Sequence, residues 1–330
     1  MSIKWLIAAI LLVGAVVLSF VGFIGYWSNT PLSVAADQRL ELTRGQSFSD
    51  FARDLAAQGI LTQPRLWSWQ ARWQGKAHRV QAGEYWIRRG DTPNTLLEAL
   101  VAGDVIRYDI QLLEGWTLRE VLDVLARNEK LIAELGSVDK HTLLGVLGLP
   151  GGNAEGLFFP DTYQFTRGVS DADILRRAYD QMQLELADAW QDRAVGLPYD
   201  TPYQALVAAS LIEKETGRDE DRLLIGQVFV TRLRLGMRLQ TDPSVIYGLG
   251  QEFDGNLTRK HLRTDTPYNT YTRNGLPPTP IALASARSIK AALQPADGDY
   301  LYFVSRGDGS SQFSITLEEH ESAVRKYQLQ

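Results

Sequence analysis

The strongest constraint on the fold is an apolar run near the N-terminus. From Trp5 to Trp27 the sequence carries no charged side chain and a single serine, Ser19. A helix needs about 20 apolar residues to cross the hydrocarbon core of a bilayer, and tryptophan favours its two interfaces. Lys4 lies on the short side of the run. We therefore predict a transmembrane anchor at residues 5–27, a cytoplasmic tail at residues 1–4, and the bulk of the chain across the membrane.

A cleaved signal peptide is the alternative interpretation of this run, with Val34 to Ala36 as the cleavage site. The apolar part of a signal peptide is usually about 7–15 residues long, which is shorter than this run, so the sequence favours an uncleaved anchor. Residues 28–37, which include Asn29 and Pro31, are typical of a short linker beyond the membrane.

Composition narrows the class of function. The chain has 330 residues, enough for two domains, and a formal net charge of −5 without a basic stripe, which argues against nucleic-acid binding. It has no cysteine, which excludes disulfides and thiol chemistry. The histidines are scattered without a His-Glu-x-x-His pattern, so we expect neither a metal site nor a cofactor. They are His78, His141, His261 and His320.

A weak internal repeat follows the linker. Gly45, Gly90 and Gly115 each precede a serine or threonine by two residues, and each follows an alternating segment. A strand, a glycine turn, a hydroxyl N-cap and an amphipathic helix explain this spacing. We predict an α+β fold with a single N-terminal transmembrane helix, a small strand–helix region at residues 38–150 and a larger mixed α+β domain at residues 151–330.

The stretch Ala205–Thr216 is typical of a helix. Apolar positions from Ala208 to Ile212 recur at helical spacing, and Glu215 continues that face one turn later. Glu213 and Glu215 point about 200° apart on a helix, so they cannot serve one site as a carboxylate pair. The spacing favours Glu215 as the inward residue and Glu213 as the outward one, although a second, weaker apolar row leads to Glu213.

An acid on an apolar face loses hydration when it ionises, which raises its pKa and keeps it protonated near neutral pH. A general acid needs that state in order to protonate a leaving oxygen. The alternative for Glu215 is an ion pair at the helix end with Arg218 or Arg222, because most glutamates are solvated.

Six motifs, spread from the middle of the chain to its C-terminal part, resemble the MltG/YceG-like family of membrane-anchored endolytic murein transglycosylases. They are Glu155–Tyr163, Ala209–Thr216, Arg232–Gly248, Tyr268–Tyr271, Gly275–Pro278 and Tyr300–Phe303. The resemblance extends over the chain from the anchor onward. In addition, Gly83–Leu96 resembles a LysM-type module, a small peptidoglycan-binding fold, although a purely structural arm is the alternative there.

The resemblance implies non-hydrolytic cleavage of the MurNAc–GlcNAc β-1,4 bond within peptidoglycan strands, with formation of 1,6-anhydro-MurNAc ends. In this family the second glutamate of Glu-Lys-Glu-Thr, here Glu215, acts first as acid and then as base. The expected groove-lining residues are Gln240, Thr241, Asp242, Tyr268, Asn269 and Tyr271. Asp242, which precedes Pro243, has the alternative role of bracing its own turn.

The implied setting is the inner membrane, with the catalytic domain in the periplasm. The implied partners are peptidoglycan strands, the membrane and peptidoglycan synthases, in a role that ends nascent strands. Two other functions stay open on the sequence. One is a two-carboxylate peptidoglycan hydrolase with Asp242 as the second group. The other is a non-catalytic wall-binding scaffold that uses the repeat region.

Overall fold

A computed structural model describes residues 3–139 and 141–328. The chain divides into two compact units. One comprises the described residues up to Tyr108 together with Gln164–Val169, and the other comprises Asp109–Tyr163 and the described residues from Ser170 onward. The sequence placed its break near residue 150 instead, and the functional domain boundaries stay a prediction. Met1 and Ser2, in the expected cytoplasmic tail, lie outside the described residues.

The predicted apolar segment is a single helix, α1, at Ile3–Ser28. Its 26 residues span about 39 Å at 1.5 Å per residue, which exceeds the thickness of a hydrocarbon core. Within the described residues it is the one helix that is long and apolar enough to cross a membrane. Most of its side chains are exposed, but Ile24 and Ser28 near its end are buried in the first unit.

The first unit follows the order strand, helix, helix, strand, helix. Its elements are β1 at Gln38–Leu42, α2 at Phe48–Ala57, α3 at Pro64–Trp73, β2 at Gly83–Ile87 and α4 at Pro93–Ala102. Strands β1 and β2 pair antiparallel, with Gln38 opposite Ile87 and Leu42 opposite Gly83. Phe51, Trp67 and Tyr85 fill the core between this sheet and the helices. The expected LysM-like module stays a prediction.

The predicted repeat is confirmed as local structure. Ser47, Thr92 and Thr117 each cap the helix that follows by accepting a backbone hydrogen bond. The glycine two residues before each cap has a positive φ, a conformation that glycine adopts without a steric penalty. Thr117 and Glu120 also form a capping box.

The second unit is mostly helical. Strands β3 at Arg107–Gln111 and β4 at Thr162–Thr166 belong in part to each unit. The other elements of the second unit are α5 at Leu118–Ala126, α6 at Leu143–Val146, α7 at Asp171–Gln191, α8 at Pro202–Glu215, α9 at Asp219–Arg234, α10 at Asp242–Leu249, a 3-10 turn at Gly250–Glu252, α11 at Arg259–Arg263, α12 at Ala286–Leu293, β5 at Tyr302–Ser305, β6 at Ser311–Ser314 and α13 at Leu317–Tyr327. The division between the units passes through β3 and β4, which pair with each other.

Helix α8 lies at the centre of the second unit, where α7, α9 and α12 pack against it. Gly226 permits the close approach of α9 to α12, because a Cβ there would collide with the Ala291 carbonyl. The two C-terminal strands form a hairpin, in which β5 and β6 pair antiparallel with Tyr302 opposite Ser314. The mixed α+β class is therefore confirmed.

Candidate active site

Helix α8 brings Glu215 to the edge of the core. Thr201 caps the helix by accepting a hydrogen bond from the Gln204 N–H, and Pro202 occupies the first helical position. Every residue from Ala205 to Ile212 is buried, so the apolar surface is wider than the single face predicted. The last turn leaves this core, and Glu215 is its final residue.

The carboxyl group of Glu215 has its pKa raised from 4.5 to about 7. Burial is the largest cause, because an ionised carboxylate loses hydration, and the negative charge of Asp242 adds to it. The Thr241 hydroxyl and the Arg232 guanidinium pull the pKa downward. Near neutral pH the group is divided between its acid and base forms, which is the state that suits a group that both donates and accepts a proton.

Glu213 does not point outward, so that part of the prediction is wrong. Its side chain is 5% exposed and forms an ion pair with Arg222 at 3.1 Å. It also accepts hydrogen bonds from the Ser285 N–H at 2.9 Å and the Ser285 hydroxyl at 2.5 Å. Although burial raises the pKa of Glu213, these donors outweigh burial and hold the pKa below its usual value. Glu213 is therefore an ionised, fully compensated carboxylate.

A cleft of about 450 Å³ opens beside the end of α8. Glu215 and Glu213 both line it, together with Lys214, Gly217 and the turn at Glu114–Trp116. The Lys214 ammonium donates to the Gly115 carbonyl at 3.1 Å, which joins that turn to the helix end. The volume falls within the range of about 300–1,000 Å³ that is usual for small-molecule sites.

A strained segment, centred on Gln240, lies close to Glu215. Gln240 has a φ of 54° and is the one non-glycine residue with a positive φ in the part of the chain that the structure describes. The buried Arg232 guanidinium holds this segment by donating to the carbonyls of Arg238 and Leu239 at 3.2 and 2.8 Å. The Gln240 N–H donates to the Thr270 carbonyl at 3.2 Å. Strain that is held from several directions is common at functional sites.

Two of the predicted groove residues follow this segment directly. Thr241 is buried beside Glu215, and the interaction of its hydroxyl with the Glu215 carboxyl group lowers the pKa of that group. Asp242 is the first residue of α10, because Pro243 favours the start of a helix. The Tyr271 hydroxyl donates to the Asp242 carboxylate at 2.6 Å. Thr241, Asp242 and Tyr271 therefore lie together around Glu215.

Asn269 has a different position from the one predicted. It is fully buried, and its amide group donates to the carbonyls of His261, Leu262 and Thr264. Its carbonyl oxygen accepts from the Tyr271 N–H at 2.8 Å. Because every polar atom of this side chain is engaged, Asn269 supports the loop and does not line a groove.

Tyr268 lies further along the same surface and is half-buried. Its hydroxyl shares a hydrogen bond with the Thr279 hydroxyl at 3.0 Å, and its ring meets the edge of the Tyr247 ring at 4.8 Å. The Tyr247 hydroxyl in turn donates to the buried carboxylate of Glu155 at 2.9 Å. This chain fixes the orientation of both tyrosines.

Sequence reasoning did not assign roles to Arg232, Glu155 or Tyr247. Glu155 accepts hydrogen bonds from the Leu118 N–H at 2.8 Å and from Tyr247 at 2.9 Å, so it joins distant segments. All three residues fall inside motifs that the sequence analysis had singled out. A buried charge within such a motif was the available signal, but burial of these positions is decided by contacts that sequence spacing does not reveal.

The comparisons with known proteins agree with one another. Residues 40–326 match the YceG-like family. The chain is 29% identical to the endolytic murein transglycosylase of Bacillus subtilis, over 87% of this chain and 84% of that protein. It is 25% identical to the endolytic murein transglycosylase of Streptococcus pneumoniae, over 96% of this chain but 64% of that protein. A crystal structure of a YceG-like protein from Listeria monocytogenes superimposes with a TM-score of 0.57 at 28% identity, over 88% of this chain and 99% of that one.

Proposed function

Because the chain belongs to the YceG-like family, we propose that it is an endolytic murein transglycosylase that cleaves glycan strands of peptidoglycan. The observation that carries the mechanism is the Glu215 carboxyl group, whose pKa is raised to about 7 at the edge of a cleft. Such a group can donate a proton and take one back without a large change in free energy near neutral pH.

In the proposed reaction Glu215 protonates the glycosidic oxygen between MurNAc and GlcNAc. The bond from that oxygen to the MurNAc anomeric carbon breaks, and positive charge develops on the sugar ring. The Glu215 carboxylate then accepts the proton of the MurNAc C6 hydroxyl, whose oxygen bonds to the anomeric carbon. The products are a 1,6-anhydro-MurNAc end and a free GlcNAc 4-hydroxyl, so the reaction consumes no water.

This chemistry explains why one titrating carboxyl group is enough. A hydrolase needs a second carboxylate to activate water or to form a glycosyl intermediate. Glu213 does not supply it, because it is engaged by Arg222 and Ser285. The Asp242 carboxylate accepts a hydrogen bond from the Tyr271 hydroxyl. Its negative charge raises the pKa of Glu215, the proposed acid.

Thr241 and Tyr271 are the proposed groups that orient the sugar and the proton path. The Thr241 hydroxyl is buried beside Glu215 and lowers the pKa of its carboxyl group, so it favours the carboxylate that forms once the proton has left. Gln240 is exposed next to them, and its strained backbone fixes the direction in which it projects.

The proposed setting is the inner membrane, with α1 as a single-pass anchor and the catalytic unit in the periplasm. An anchored enzyme meets glycan strands near the membrane, where they are made. We extend the proposal to a role in ending nascent strands beside peptidoglycan synthases.

Digestion of purified sacculi, followed by mass spectrometry of the products, tests the proposal. We expect 1,6-anhydro ends and fragments from internal cleavage, and we expect both to disappear with Glu215→Gln. Reducing-end MurNAc would instead indicate the hydrolase. Unchanged sacculi with the wild-type protein would indicate a wall-binding scaffold.

A further inference from the structure

Helix α3 exposes an aromatic surface that the catalytic proposal does not use. Trp67 is fully buried, but Trp69 and Trp73 on the same helix are 45% and 72% exposed. Their rings stack almost parallel, with centroids 6.0 Å apart. Arg65, Trp69 and Trp73 follow one another at intervals of four residues, so they share one face of the helix. An exposed apolar patch of this kind marks an interaction surface.

The aromatic face lies directly against the apolar helix α1. The Phe20 ring meets the Trp69 ring edge-on, with centroids 5.7 Å apart. The end of α1 is built into the same unit, because Ile24 and Ser28 are buried there. The Trp27 indole packs on that core and donates to the Thr62 hydroxyl at 3.2 Å. The depth of α1 in a bilayer therefore sets the depth of α3.

The position of Phe20 along α1 gives that depth. Phe20 precedes Trp27 by seven residues, which is about 10 Å along a helix that rises 1.5 Å per residue. Trp27 marks the interface at which α1 leaves the hydrocarbon region. A side chain in contact with Phe20 therefore reaches the boundary between headgroups and acyl chains, where interfacial helices bury their apolar faces by about 5–10 Å.

The charge around α3 matches an anionic surface. Residues 55–83 contain no aspartate or glutamate, although the whole chain has a formal net charge of −5. The same segment contains Arg65, Arg72, Lys76 and Arg79. Arg65 and Arg79 are exposed, whereas Lys76 forms an ion pair with Glu98. Basic side chains beside exposed tryptophans are typical of segments that lie in the interface of membranes with anionic lipids.

We propose that the α3 face formed by Arg65, Trp69 and Trp73 inserts into the interface of the bilayer that α1 crosses and binds anionic phospholipids there. This second contact holds the first unit against the membrane surface, so the unit does not swing freely on the anchor. The inference rests on the proposed membrane anchor. Sugar rings can also stack on indoles, and a glycan strand is therefore the alternative occupant that the experiment must separate.

The test uses the full chain in nanodiscs of anionic phospholipid with bromine in the upper acyl chain, which quenches nearby tryptophans. Trp69→Phe and Trp73→Phe should each remove part of the quenching. Trp86→Phe is the matched control, because Trp86 is also 45% exposed but lies on β2, where it packs against Arg39 of β1. Trp5→Phe reports the anchor itself. In zwitterionic nanodiscs the quenching that depends on Trp69 and Trp73 should decrease.

Each result has a definite meaning. If Trp5→Phe lowers the quenching but Trp69→Phe and Trp73→Phe do not, the inference fails and the membrane anchor stands. If Trp5→Phe also leaves the quenching unchanged, α1 is not a membrane anchor, and the inference, which rests on that anchor, is contradicted as well. Fluorescence of Trp69 and Trp73 that responds to soluble glycan fragments but not to brominated lipid would overturn the inference in favour of the glycan. Equal quenching in zwitterionic and anionic nanodiscs would overturn the requirement for anionic lipid.

Discussion

The two glutamates near the end of α8 have pKa shifts of opposite direction. Glu213 and Glu215 are two residues apart, and both lose hydration. On one side Arg222 and Ser285 supply a charge and two hydrogen bonds, and the pKa of Glu213 is lowered. On the other side burial prevails, and the pKa of Glu215 is raised to about 7. Burial therefore does not decide the role of an acid, because the donors around it do.

The largest expected effect is on catalysis by Glu215→Gln. We expect cleavage of sacculi to fall by about 10²- to 10⁴-fold, because the amide can neither donate nor accept the proton. The fold should be retained, since within the described residues the substitution removes no ion pair at this position. The rate of release of anhydro-MurNAc products measures the effect, and thermal unfolding measures the fold.

Glu220 is the matched control for this substitution, because its side chain is 76% exposed and is not among the residues that line the cleft. Glu220→Gln should keep the wild-type rate. Substantial cleavage by Glu215→Gln would mean that another group is the catalytic acid, and the contrast between Glu213 and Glu215 would then not explain catalysis.

The next effect is on stability, by Glu213→Gln. This substitution leaves the Arg222 guanidinium, 3% exposed, without the Glu213 carboxylate at 3.1 Å, while the exposed Asp219 carboxylate stays 3.5 Å from it. Breaking a buried pair costs about 3–5 kcal/mol. The Arg222 side chain keeps a hydrogen bond to the Ser288 hydroxyl at 2.7 Å, so we expect the lower end of that range. Chemical denaturation gives the free energy of unfolding.

The catalytic rate of the folded fraction should stay substantial in Glu213→Gln. Complete loss of turnover at a temperature where the variant is folded would mean that Glu213, not Glu215, is the reacting acid. Unchanged stability would mean that the ion pair contributes little to the fold.

The two acids also predict opposite dependences of stability on pH. Between pH 4.5 and about 7 the folded chain keeps a proton on Glu215 that the unfolded chain has lost, so the free energy of unfolding falls as pH rises through this window. The lowered pKa of Glu213 gives stability that is present above its unfolded pKa of 4.5 and is lost as pH falls below it. Denaturation curves of the wild type and both glutamine variants measure these slopes.

Each variant should remove one slope and leave the other. Glu215→Gln should flatten the decrease between pH 4.5 and about 7, and Glu213→Gln should flatten the decrease on the acid side. A Glu215→Gln curve that keeps the wild-type slope above pH 4.5 would show that the group has an ordinary pKa in the folded protein.

Local chemistry explains what the sequence could predict. The cap of α5 by Thr117 depends on residues three positions apart, and the face that ends in Glu215 depends on helical spacing. The partners of Glu213 were beyond that reach, because Ser285 lies 72 residues further along the chain. Asn269 was expected to line a groove, but here its side chain replaces backbone partners for the loop.

Two neighbours of Glu215 should move its titration in opposite directions. Asp242 raises the pKa of Glu215, so Asp242→Asn should shift the alkaline limb of kcat/KM to lower pH. The Thr241 hydroxyl lowers the pKa, so Thr241→Val should shift the same limb to higher pH. Valine has nearly the shape of threonine, and the hydroxyl has no other partner within the described residues, so stability should change little. Each shift should be smaller than the effects above, because burial is the largest cause of the raised pKa.

The paired substitutions keep this prediction specific to Glu215. A rate profile against pH for each variant gives the position of the limb. Opposite shifts would assign the limb to Glu215 as the proton donor. Shifts of the same sign in both variants would assign the limb to a different group. Loss of the Asp242 charge lowers the pKa of Glu215, whereas loss of the Thr241 hydroxyl raises it, so the two variants must shift the titration of Glu215 in opposite directions.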